Sequence, residues 1–129
     1  MYYPIFLLSL LPFCILYVLS DLAYYIMYYV VRYRRGIVRL NLTTSFPDKS
    51  EAEIVRIERK FYHWLCDYFV ETIKLLSISD KQLRKRFNII GADKVEECFK
   101  AGQDCAALLG HYCNWEWLSC TGIAFPEGR

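Results

Sequence analysis

The chain holds two histidines, His63 and His111, and His111 has the more informative surroundings. It follows an apolar run and a glycine, and Glu116 stands five positions later, in Gly110-His111-Tyr112-Cys113-Asn114-Trp115-Glu116. On one continuous helix that separation would put the two side chains on different faces. With His111 in a strand-to-helix turn and Glu116 in the first helical turn, they can converge. A carboxylate on one imidazole nitrogen fixes the tautomer and stabilises the imidazolium, leaving the other nitrogen to take a proton from a hydroxyl. A base held in this way contributes roughly 10²–10⁴ in rate. The amides opening the next helix would face a phosphate or a developing oxyanion. Spacing alone makes this a weak pattern, for which a histidine bonded to backbone in an ordinary turn is the commoner meaning.

The elements that must position this pair follow from capping and periodicity. After a turn at Phe46-Pro47-Asp48, Ser50 and Glu53 have capping-box spacing. Ile54, Ile57, Phe61, Leu65, Tyr68, Phe69, Thr72, Ile73 and Leu76 then recur at helical intervals. Arg56, Arg59, Lys60 and Lys74 lie mostly on the other side, which predicts a long amphipathic helix over 50–77. Ser79 with Gln82 opens a short helix through Arg86. Phe87–Ile90, closed by Gly91, reads as a strand, and Asp93–Ala101 as a helix stopped by Gly102. Cys105–Leu109 reads as a buried central strand, and Asn114–Cys120 as the start of a further helix. This alternation predicts an α/β domain with a largely parallel sheet, whose strand ends commonly place ligands. There are no internal repeats and no Gly-rich phosphate loop.

The N-terminal run Tyr2–Val31 is long and apolar enough to cross a bilayer. It has no basic residue before it and no small-residue cleavage site after it, so it reads as a retained anchor rather than a signal peptide. Arg32, Arg34, Arg35 and Arg39 crowd its C-terminal flank, which puts the rest of the chain on the cytoplasmic side. Asp21 is its one charge, and a carboxylate at mid-bilayer costs about 2.5–3.5 kcal/mol. The cost shrinks if residues 2–20 span and Leu22–Tyr33, rich in tyrosine, lies in the interface. A single tilted or kinked helix is the alternative. The expected organisation is an anchor over 1–31 and a cytoplasmic domain over 32–129.

All 16 Lys and Arg residues and 13 of the 14 Asp and Glu residues follow Val31, a surplus too small and scattered for a nucleic-acid-binding face. It does suit a surface beside an anionic leaflet. The six cysteines form no C-x-x-C pair and read as reduced, partly core residues. His63 and Asp67 share a helix face, most simply as a surface or membrane-interface pair. Arg84-Lys85-Arg86 is a solvated basic face or, functionally, a contact for acidic lipid head groups or an acidic carrier protein.

The stretch GHYCNWEW, residues 110–117, resembles the H-x-x-x-x-D/E region of the lipid A biosynthesis lauroyl/myristoyl acyltransferases, written GHxGNWE. Tyr33-Arg34-Arg35, Asn41-Leu42, Phe46-Pro47 and the apolar anchor occur in that family's order. Cys113 stands where the family usually has glycine, while His111, Asn114, Trp115 and Glu116 keep the pattern. The resemblance implies a single-pass bacterial inner-membrane enzyme with its active site at the cytoplasmic face. It implies transfer of a fatty acyl chain from acyl carrier protein, or acyl-CoA, to a hydroxyl of a lipid A precursor or related glycolipid. His111 would be the general base and Glu116 its orienting partner, with Asn114, Arg84 and Arg86 as substrate-binding candidates. Such thioester chemistry requires no metal or organic cofactor. The family also implies a chain about twice this long, so residues up to Phe125–Arg129 are expected to be an N-terminal part, inactive alone and with an exposed sheet edge. The rival expectation is a non-enzymatic single-span membrane protein with a cytoplasmic interaction domain.

Overall fold

Pro12 divides the apolar N-terminal run. In the computed structural model α1 (Tyr3–Ser9) ends before it and α2 (Phe13–Tyr25) begins after it, because proline cannot supply the amide that a continuing helix needs. The structure describes residues 3–106 and 108–124. Tyr2, Ala107 within the second expected strand, and the terminal segment 125–129 lie outside the described residues. From Tyr25 the helix widens into a π-helical segment, Ile26–Val31, and stops at Arg32, whose φ is 53°. The helix runs unbroken through Asp21, and the break in the apolar run falls at Pro12.

The chain then forms α3 (Arg35–Ser45) and α4 (Glu51–Lys74). Ser50 opens α4 as expected: its Oγ accepts from the Glu53 amide, and the Ser50 amide donates to Glu53 Oε2 at 3.0 Å. Reciprocal caps of this kind are each worth about 1 kcal/mol. Two shorter helices, α5 (Asp80–Arg86) and α6 (Ala92–Lys100), follow near their expected positions, and Gly102 ends α6 in the left-handed region at φ 69°. A 3₁₀ segment, Trp115–Cys120, leads into α7 (Thr121–Ala124).

α4 lies antiparallel against α2, and polar ties mark the register. Tyr17 Oη donates to Glu71 Oε1 at 2.9 Å, and Ser20 Oγ donates to Asp67 Oδ1 at 2.6 Å. His63 places Nε2 2.8 Å from Asp21 and Nδ1 3.3 Å from Asp67. Asp21, the awkward charge of the apolar run, is therefore turned onto α4. Further on, Tyr24, Tyr28, Tyr62 and Cys66 form the buried core, with Met27, Val38, Phe61 and Leu65 packed on it. Burial raises the Cys66 thiol above its ordinary pKa, as does the neighbouring Asp67 charge, so this cysteine is an inert core residue. At the other end, buried Lys74 donates from Nζ to the carbonyls of Ser9 (2.8 Å) and Leu11 (3.0 Å), acceptors left open where α1 stops.

The face α4 buries differs from the apolar stripe read from sequence. Its buried residues are Ile54, Glu58, Tyr62, Cys66 and Lys74, an i,i+4 row that includes two charges. Glu58 is fully buried, and Arg35 and Arg39 of α3 bond its two carboxylate oxygens. Burial pushes the Glu58 carboxyl up, but the bonds from Arg39 and Arg35 outweigh that and hold it below the usual carboxylate range.

The expected α/β architecture is not found: the regular elements among the described residues are all helical. Phe87–Ile90 is irregular chain entering a turn, with Ile90 95% exposed. The described part of Cys105–Leu109 is neither strand nor buried, and Leu108 is 98% exposed. A strand exists only where a neighbour satisfies its amides and carbonyls. Among the described residues these two runs do not pair with each other or with another extended segment. Short apolar runs carry too little periodicity to foresee this.

Candidate active site

The C-terminal half of α4 holds the segment around His111. Asn114 Nδ2 donates to Glu71 Oε2 at 2.7 Å and lies 3.5 Å from the Tyr68 carbonyl. One turn back, Tyr68 Oη donates to Glu116 Oε1 at 3.1 Å. Burial and the bond to Glu116 raise the Tyr68 phenol above its ordinary pKa, so it remains a donor throughout the neutral range. Glu71 in turn takes Tyr17 Oη on its other oxygen. One helical turn of α4 thus joins α2 to two residues of the GHYCNWE segment.

The segment reaches α4 through tight turns. The Tyr112 amide bonds the Gly110 carbonyl at 2.9 Å, and the Trp115 amide bonds the Cys113 carbonyl at 3.1 Å. Cys113 sits at φ 54°, a left-handed conformation costing a residue with a Cβ roughly 1–2 kcal/mol. The element that follows is 3₁₀ and six residues long. It offers less than the helical N-terminus expected there.

His111 is exposed, and its ring meets Trp115 edge-on with centroids 4.5 Å apart. Among the described residues its nitrogens have no hydrogen-bond partner, and Glu116 is bonded to Tyr68 rather than to it. Gly110 and Tyr112, on either side of it, line an open groove of about 410 Å³, together with Glu71, Arg86, Asn114 and Trp117 among others. Arg86 lies over the Phe13 ring at 3.8 Å, and Phe13 stacks on Trp117 at 6.5 Å. Arg84 is exposed on α5 and does not line this groove. Asn114 Oδ1 is buried with no partner among the described residues.

The structure therefore lines one groove with Asn114 and Arg86, sets His111 beside it between two lining residues, and leaves Glu116, bonded to Tyr68, and Arg84 out of the lining. Sequence reading missed Glu71 and Tyr17. The available signal was the polar row His63, Asp67, Glu71 at i,i+4 intervals beside an apolar stripe. A family model described as bacterial lipid A biosynthesis acyltransferase matches residues 3–123 of the chain. No curated protein and no solved structure matches it.

Proposed function

Since the chain belongs to the bacterial lipid A biosynthesis acyltransferase family, we propose that His111 is the general base of an acyl transfer from acyl carrier protein, or acyl-CoA, to a hydroxyl of a lipid A precursor or related glycolipid. The acceptor hydroxyl gives its proton to an imidazole nitrogen as its oxygen attacks the thioester carbonyl. The tetrahedral intermediate collapses with cleavage of the carbon–sulfur bond, and the imidazolium returns the proton to the departing thiolate. Glu116 orients the imidazole through Oε2, since Tyr68 occupies only Oε1. Asn114 and Arg86 bind substrate in the groove. Arg84, on the exposed side of α5, meets acidic head groups or the acidic surface of the donor protein. Residues 1–31 form the anchor to the bacterial inner membrane, and residues 32–129 contribute to the catalytic part on its cytoplasmic side.

One observation carries this reading. His111, with no hydrogen-bond partner among the described residues, adjoins a groove whose lining includes Asn114 and Arg86. The experiment is expression of the full-length gene in a host stripped of its own late lipid A acyltransferases, with lipid A mass spectra compared for wild type and His111→Ala. The expected result is a gain of one acyl chain that disappears in the variant. A gain that persists removes His111 from the mechanism. No gain from a membrane-expressed protein removes lipid A as the acceptor.

A further inference from the structure

The N-terminal helices pose a geometrical problem if they cross a membrane. Phe13–Val31 is long and apolar enough to do so, and only 22% of that window is buried. The buried residues Phe13, Leu16, Ser20, Tyr24 and Tyr28 face α4, and Ile15, Val18, Leu22, Ile26 and Val30 form the opposite, exposed face. α4 accompanies this segment from Tyr17 to Tyr28 and carries Glu58, Arg59, Lys60, His63, Asp67, Glu71 and Lys74. Standing α2 across the hydrocarbon would take those charges with it, at about 2.5–3.5 kcal/mol for each one left near mid-bilayer.

The second difficulty concerns sidedness. The motif segment packs at the N-terminal end of α2, with Trp117 on Phe13 and Asn114 reaching Tyr17 through Glu71. The arginines that set orientation, Arg32 to Arg39, lie at the other end. These ends are separated by about 28 Å of helix, close to the thickness of the hydrocarbon core. A spanning α2 would place the motif and the arginines on opposite sides of the membrane. A thioester donor made in the cytoplasm would then face the wrong end.

Both difficulties vanish if the helix lies flat. We propose that α1 and α2 rest in the plane of the cytoplasmic leaflet without crossing it, with the Ile15–Val18–Leu22–Ile26–Val30 face in the acyl region and α4 on the water side. The proposal rests on the membrane reading above and changes its geometry. The occupant of the apolar face is an anionic phospholipid leaflet. Asp21 is withdrawn onto His63, leaving that face uncharged, and exposed Arg32 and Arg34 flank it where head-group phosphates would lie.

The test attaches one epitope tag to the N-terminus and, in a second version, to the C-terminus of the otherwise unaltered protein. Intact spheroplasts are treated with protease and then fractionated. Membrane-bound protein with both tags intact is the expected result. Membrane-bound protein that loses either tag has crossed the bilayer and overturns the flat arrangement while leaving membrane attachment standing. Protein in the soluble fraction overturns both. Depth is read independently from spin labels at Ile15→Cys, Leu22→Cys and Val30→Cys, with native cysteines replaced by alanine, in vesicles of phosphatidylethanolamine and phosphatidylglycerol. Flat helices give depths within about 5 Å of one another, whereas a spanning helix spreads them over about 22 Å.

Discussion

Asn114 donates to Glu71 across 2.7 Å, and that bond ties the loop carrying His111 to the long helix α4. The other Glu71 oxygen holds Tyr17 of α2, so its carboxylate is an acceptor on both sides. Replacing it with an apolar side chain of similar size removes both contacts. Glu71→Leu is expected to lower kcat by about 10²-fold, the scale set by displacing a reacting group by an ångström. Tyr68→Phe, which releases only Glu116, should give a smaller fall in kcat and a shifted pH profile. Steady-state kinetics with both substrates varied checks this. Normal kcat in Glu71→Leu would show that the tie has no catalytic role.

Cys113 occupies a φ of 54°, at the position where the GHxGNWE pattern has glycine. Glycine adopts that conformation without the Cβ clash. Cys113→Gly is therefore expected to stabilise the protein by about 1 kcal/mol and Cys113→Val to destabilise it by at least as much. Denaturant unfolding of the three proteins measures both. A glycine variant no more stable than the parent would mean that the turn relaxes in solution.

These two sites show where sequence reading succeeded and where it stopped. The motif residues and the capped start of α4 were legible because each signal is local: Ser50 and Glu53 are three residues apart, and the GHYCNWE segment is contiguous. The helix α3 was not foreseen. Its Gly36, Thr43 and Thr44 are poor helix formers, and its position depends on Arg35 and Arg39 reaching Glu58, 23 and 19 residues away. The same distance effect hid the buried face of α4, since nothing near Glu58 or Lys74 in sequence announces a buried charge. The sheet was over-read from two short apolar runs that lack a pairing partner among the described residues.

Lys74 is buried, yet its ammonium bonds only the Ser9 and Leu11 carbonyls among the described residues. It therefore serves as the cap of α1. Lys74→Met keeps the aliphatic stem and removes the donors, leaving the Ser9 carbonyl to Ser77 Oγ and the Leu11 carbonyl without its partner, at about 1–3 kcal/mol. Hydrogen exchange should quicken across α1 in this variant while the α2–α4 core, at Tyr28 and Tyr62, stays protected. Unchanged exchange in α1 would contradict the capping role.

Glu58 makes the acid stability of the fold predictable in sign. Its folded pKa is depressed below the unfolded value near 4.3. The stabilisation is therefore complete above about pH 4.3 and is lost as pH falls through the lower folded value. Glu58→Gln should abolish that part of the acid transition. Its cost at neutral pH is modest, about 1–2 kcal/mol, because Arg35 and Arg39 keep 30% and 31% of their side-chain surface in water and can be solvated. Arg35→Met with Arg39→Met is the harsher change. It strands a fully buried carboxylate, for which about 3–5 kcal/mol is the expected loss, and it reverses the pH dependence, since the stranded Glu58 then binds a proton more readily folded than unfolded. Thermal unfolding of the three proteins between pH 3 and 7 separates these outcomes. Equal losses for the single and the double substitution would show that Glu58 reaches water despite its place in the core.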